Sequence, residues 1–315
     1  MSVVTEALPD LALDPLAPSA GAPLRREVEL PEALDATRDS FATTHLNEIS
    51  YYVGGPEDAR PLVLIHSINA APSAFEMKPL YDHYRATRRV YVPELPGFGF
   101  SDRSDREYSP ELYANAINAF LTNVVQQPAD VVAFSLSSEF AARAALAAGE
   151  RFLSLTLLSP TGFSARKLPS RKVGGAMHGF FTLPGLGEGL YSLLTKRPSI
   201  RYFLRRSYVG EPPTAMVDYA YATSHQPGAR HAPYYFLAGH LFTREAVDTL
   251  YSKLELPVLV LYDRDANVGF ELLADFVAAH ANWKTVRIEP TLGIPQWERT
   301  QACVAALDAF WSQHA

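Results

Sequence analysis

The chain of 315 residues has a single cysteine, Cys303. It can form no intramolecular disulfide, which excludes the stapled scaffolds of small secreted proteins. There is no excess of positive charge: 28 Lys and Arg stand against 34 Asp and Glu, a net −6. A nucleic-acid-binding protein wants the opposite balance on at least one face. The N-terminus lacks the basic opening of a signal or organelle-targeting peptide, since Glu6, Asp10 and Asp14 all precede the first base, Arg25. A cytoplasmic location is therefore expected. No two histidines, and no His/Asp pair, sit at helical ligand spacing beside a third donor, so neither a metal nor another cofactor is expected. No internal repeat is found. What remains is ordinary globular chemistry, 48% hydrophobic, 11% aromatic and 20% charged.

Residues 1–38 are rich in Ala, Pro and Leu without period, and Pro9, Pro15, Pro18 and Pro23 interrupt any helix. They read as a flexible tail. Beyond them, short runs of β-formers alternate with helical patterns. The runs are Ile49–Val53, Pro61–Ile65, Arg89–Pro93, Asp130–Phe134, Ser154–Leu158, Val258–Tyr262 and Lys284–Ile288. Between them lie Ala74–Tyr84, Pro110–Val125, Ser138–Ala148, Phe270–His280 and Trp297–Trp311. Such alternation implies an α/β fold with a mostly parallel central sheet flanked by helices. From 164 to 256 the alternation stops and helical stretches broken by Gly and Pro replace it. This reads as a helical cap inserted into one α/β core, formed by 39–163 and 257–315.

The cap has an uneven charge. Residues 164–210 hold nine bases (Arg166, Lys167, Arg171, Lys172, Lys196, Arg197, Arg201, Arg205 and Arg206) and one acid, Glu188, a net +8 in an acidic chain. Between the bases, Val173–Gly187 is uncharged, yet too short and too rich in glycine to span a bilayer. A mobile cap with solvated bases is the plain reading. The sharper reading is a lid that contacts an anionic or lipid surface.

Three segments carry chemistry. Val132-Ala133-Phe134-Ser135-Leu136-Ser137-Ser138 follows one strand run and opens a helix. A sharp strand-to-helix turn there lifts Ser135 Oγ above the sheet, beside the positive end of the helix; its simpler role would be a helix N-cap. Leu64-Ile65-His66-Ser67-Ile68 ends another run, and Leu95-Pro96-Gly97-Phe98-Gly99-Phe100-Ser101-Asp102 follows a third. In this order, with the cap and Pro257–Tyr262 after them, these segments resemble the α/β-hydrolase superfamily from about Asn47 to Trp311. The resemblance implies a serine hydrolase with a Ser-Asp-His triad, Ser135 as nucleophile, and the amides of Ile68 and Leu136 as oxyanion hole.

The resemblance is incomplete at the other two triad positions. The acid belongs just after Val258–Tyr262, where Tyr262-Asp263-Arg264-Asp265-Ala266 stands. Ungapped, Ala266 takes the acid position, so Asp265 serves only if the loop is one residue shorter, and Asp263 replaces a glycine. The histidine belongs in a Gly-His-x-Pro-x-x-Glu segment, but the chain reads Leu292-Gly293-Ile294-Pro295-Gln296-Trp297-Glu298. Gly293 stands where the base should be. Ser67 and Ser137 also replace family glycines. His66 is expected to hold the oxyanion loop, while His225, His231 and His240 in the cap are candidate substitute bases.

Three functions are thereby open. The first is a hydrolase acting on a small or lipidic carboxylic ester or thioester, with an atypical triad. The second is a catalytically inactive relative that binds a hydrophobic ligand or a partner in the same pocket. The third is a non-hydrolytic lyase or cyclase.

Overall fold

The structure, a computed structural model, describes residues 28–166, 170–183 and 185–314; most of the expected tail lies outside them. An eight-stranded sheet runs through the molecule in the order β1-β2-β4-β3-β5-β6-β7-β8. The strands are β1 (Thr37–Thr43), β2 (Asn47–Gly54), β3 (Pro61–Ile65), β4 (Arg89–Pro93), β5 (Ala129–Phe134), β6 (Phe152–Leu158), β7 (Val258–Tyr262) and β8 (Trp283–Arg287). From β4 to β8 all pairs are parallel, and β1 and β2 join antiparallel at one edge. The expected α/β class with a mostly parallel sheet is what the chain forms.

Continuous apolar runs make the central strands. Every residue of β3 and β5 is buried, as required of strands covered on both faces. Helices cover the two faces: α1 (Lys78–Tyr84), α2 (Pro110–Phe120), α3 (Ser137–Ala147) and, after the cap, α10 (Leu273–Ala279), α11 (Pro295–Glu298) and α12 (Thr300–Trp311). Ser109 caps α2 by accepting the Leu112 N–H at 3.2 Å, with Pro110 at the first helical position. A π turn, Leu121–Val125, extends it and ends at Gln126 in the left-handed region, φ 61°.

β1 was not anticipated. Its sequence, TRDSFAT, is mostly exposed and has no apolar alternation. A short connection through Asn47 (φ 58°) folds it back on β2, with Thr43 opposite Asn47. Just before it, inside the span expected to be tail, Ala33 and Leu34 are buried in the core, and the Ala33 N–H donates to Tyr52 Oη at 2.9 Å.

Between β6 and β7 lie α4 (Arg171–Phe181), α5 (Leu186–Leu194), α6 (Arg197–Arg205), α7 (Thr214–Ser224), α8 (His231–Leu237) and α9 (Ala246–Thr249), with no strand among the described residues. β6 and β7 are nonetheless neighbours, Leu155 opposite Val258. The described residues between 164 and 256 therefore do not separate the two strands they connect. No helix among the described residues is long and apolar enough to cross a membrane.

Candidate active site

The site is built at the carboxyl ends of β3, β5 and β7. β5 ends at Phe134, and Ser135 takes φ +56°, a left-handed conformation rare for a residue with a side chain. The turn is held because the Ser135 N–H donates to Leu158 O at 2.8 Å, and α3 starts two residues later. Ala133 and Ser137, in place of the usual glycines, are fully buried around it. Ser135 is half-exposed, and its Oγ has no hydrogen bond among the described residues.

The two serines that replace glycines fasten the site together. Ser137 Oγ donates to His66 O at 2.6 Å, tying the first turn of α3 to the loop after β3. The Ser67 N–H and Oγ donate to the two oxygens of Glu76, at 2.8 and 2.9 Å. Asn69 Nδ2 donates to Ser67 Oγ and Glu76 Oε1, while Asn69 Oδ1 accepts the Ala71 N–H. Glu76 is buried, which pushes its carboxyl up to about 7 despite these donors. His66, also buried, accepts the Leu95 N–H at Nε2, 3.0 Å, and its Nδ1 donates to Ser67 O. Burial lowers its pKa to about 4, so it stays neutral and holds the loops after β3 and β4 in register. Between these anchors lie the backbone amides of Ile68 and Leu136, both without acceptors among the described residues.

The loops after β7 and β8 are equally well held. Asp263, buried, accepts Thr291 N–H and Arg287 Nε–H, each at 2.8 Å. Burial opposes its ionisation, but those donors prevail and hold its pKa below the ordinary carboxylate value. Glu298 Oε2 accepts the Leu292 N–H at 2.8 Å. Gly293, between these attachments, has φ +121°. A β-carbon placed on it would lie 2.6 Å from Asp265 Oδ2. Of the three residues considered after β7, it is Asp265 that lies beside Gly293. Asp265 Oδ1 accepts the N–H groups of Asn267 and Val268 at 2.7 and 3.2 Å, and burial raises its pKa.

The cap histidines are engaged elsewhere. His225 Nδ1 meets Tyr221 O at 2.8 Å and its ring stacks on Tyr221. His231 Nδ1 meets Arg103 O at 3.0 Å. His240 stacks with His178, ring centroids 5.4 Å apart. None has a hydrogen bond to Ser135 among the described residues.

Sequence reasoning missed two neighbours of the strand-to-helix turn at Ser135, the nucleophile elbow of this architecture. Ser159, beyond Leu158 and beside Ser135 across the β5–β6 pair, is buried with φ +42°, and its Oγ has no partner among the described residues. Glu139, on α3, is buried with a pKa pushed up to about 7, accepting from Thr161 Oγ1 and the Thr243 N–H. It ties the elbow helix to the cap. No periodicity signals either, because both depend on which loops cross over the sheet.

A mostly parallel sheet flanked by helices, with a left-handed serine at the turn from β5 into α3, is the architecture of the α/β-hydrolase fold. The match to the alpha/beta hydrolase family over residues 62–306 agrees, and the chain belongs to that family. Solved structures similar to it include a membrane phospholipase A described as a bacterial virulence factor. That protein has 20% identity and a TM-score of 0.70, with 89% of this chain and 86% of that chain covered. An α/β-hydrolase-fold protein from Burkholderia ambifaria has 19% identity and a TM-score of 0.67, covering 85% and 96%. A serine hydrolase involved in carbazole degradation has 16% identity and a TM-score of 0.70, covering 88% and 100%. No curated protein sequence matches the chain.

Proposed function

We propose that the protein is a serine hydrolase for a small or lipidic carboxylic ester or thioester, working with a triad that has lost its imidazole. The observation that carries this reading is Ser135 at φ +56° at the turn from β5 into α3, with the Ile68 and Leu136 amides lacking acceptors among the described residues. A left-handed serine costs about 1–2 kcal/mol, a strain that persists where a reactive side chain must be presented. Ser135 Oγ attacks the acyl carbon and the carbonyl oxygen moves toward the amides of Ile68 and Leu136. Asp265 keeps the acid position but faces Gly293 instead of a histidine.

Without a protein base the serine proton leaves to water or hydroxide. Loss of a triad base typically lowers turnover about 10⁴–10⁶-fold, leaving the oxyanion hole and binding to act alone. Hydrolysis of short aryl esters should then be slow, abolished by Ser135→Ala, and rise about tenfold per pH unit across neutrality. A plateau above pH 7 would instead mark an imidazole base, and single replacements of His225, His231 and His240 would identify it. Undiminished turnover in Ser135→Ala would refute the nucleophile.

One observation favours a second reading. Asp265 Oδ2 lies against Gly293, in space a histidine stem would need. A site closed in that way suits an inactive relative that retains the pocket to bind a hydrophobic ligand. Complete inertness toward a fluorophosphonate probe would favour it over slow hydrolysis.

A further inference from the structure

Among the described residues, nine of the thirteen exposed large hydrophobic side chains lie between Val173 and Val209. On α4, Val173, Met177 and Phe180 recur at i, i+4 and i+7 and form one exposed stripe. A different stripe packs the helix down: Phe181 stacks on Tyr234 with ring centroids 5.8 Å apart, and His178 lies 4.2 Å from Tyr235. At 3.6 residues per turn the exposed stripe lies about a quarter-turn round from the packed one, so packing on α8 does not account for it. α5, which touches α4, adds Leu186 and Leu193, and α6, which touches α5, adds Tyr202 and Phe203.

The same helices carry the cap's positive charge. Lys172, Lys196, Arg201 and Arg206 are exposed and have no ion pair among the described residues. Arg197 and Arg205 meet Asp218 and Glu211 at 3.3 and 3.2 Å. Lys172 and Arg197 lie in the first turns of α4 and α6, and Lys196 is the N-cap of α6; neither first turn contains an acid. Bases at a helix N-terminus oppose its dipole; Arg197 is offset by Asp218 and the face of Tyr221, whereas Lys172 and Lys196 have no ion pair among the described residues. α4 is also weak in itself, because Gly175 and Gly179 sit in its interior facing open space.

We propose that α4–α6 form a docking surface for an anionic phospholipid bilayer. Met177, Phe180, Leu186 and Leu193 enter the interface, and the unpaired bases meet lipid phosphates. Charge selects this occupant. A second copy would bring a like-charged segment of net +8 against its twin. A nucleic acid offers no apolar medium for the exposed hydrophobic side chains. The inference is independent of the chemistry at Ser135.

Sedimentation with vesicles tests it. The full-length protein should pellet with phosphatidylcholine vesicles containing phosphatidylserine, pellet poorly with phosphatidylcholine alone, and be released by high salt. Joint replacement Lys196→Gln, Arg201→Gln and Arg206→Gln should weaken binding about 100-fold, at roughly fivefold per base. Met177→Ser with Phe180→Ser should weaken it as well, with circular dichroism unchanged because these side chains are exposed. Wild-type protein that stays in solution beside phosphatidylserine vesicles overturns the proposal, as does a charge variant that pellets like wild type. A dimer in ultracentrifugation that Phe180→Ser dissociates would place a second copy on this face and overturn it too.

Discussion

Replacing Gly293 with histidine would put an imidazole beside Asp265, and the structure resists it in two ways. The backbone there has φ +121°, which an L side chain adopts at a cost of about 1–3 kcal/mol. The new β-carbon would also lie 2.6 Å from Asp265 Oδ2, so the carboxylate must swing aside. In moving it strains the bonds that Oδ1 accepts from Asn267 and Val268, and losing one charge-assisted bond costs about 1.5–3 kcal/mol. The loop cannot easily yield, because Thr291 and Leu292 are tied to Asp263 and Glu298. Gly293→His is therefore expected to lose about 2–5 kcal/mol of stability and to gain little esterase activity by itself. Gly293→Ala, which carries the β-carbon without the imidazole, should be nearly as unstable. Urea unfolding measures the first effect and hydrolysis of p-nitrophenyl acetate the second. Gly293→Ala with wild-type stability, or Gly293→His with a hundredfold rise in turnover, would refute the reasoning.

If Ser135 is strained, Ser135→Gly should be more stable than Ser135→Ala by about 1 kcal/mol in urea unfolding, and equal midpoints would argue against strain. Asp130, 1% exposed, pairs with Arg60 and Arg88 and accepts from Ser154 Oγ at 2.7 Å. Asp130→Ala should cost about 3–5 kcal/mol by leaving the arginines uncompensated, and a loss below 1 kcal/mol would contradict this. Burial raises Glu76, Glu94 and Glu139 from 4.5 to about 7. The folded chain then binds more protons than the unfolded chain in that window, so their contribution to stability is full below about pH 4.5 and is lost as pH rises through 7. Each accounts for at most about 3 kcal/mol. Glu139→Gln should flatten the decline between pH 5 and pH 7.5, and an unchanged slope would remove Glu139 from it.

The segments that build the sheet announce themselves in the sequence because burial on both faces demands apolar runs such as Leu62–Ile65 and Val131–Phe134, whatever lies around them. The Ser135 turn is legible for a similar reason: a serine with small residues two positions before and after it, between a strand run and a helix run, has few other local structures available. Gly293 is equally plain as a departure from the histidine that the family resemblance implies there. β1 was not legible, since an exposed edge strand is defined by the partner it pairs with and not by its own pattern. The site's internal ties were also beyond local reading. That Ser137 reaches His66 O, that Ser67 is held by Glu76, and that Asp265 rather than Asp263 faces Gly293 all depend on loops distant in sequence meeting above the sheet. Local propensity and periodicity determine which segments become strands and helices. Only the tertiary structure decides which polar groups face one another across the carboxyl ends of those strands, because those distances are set by the packing of the whole chain.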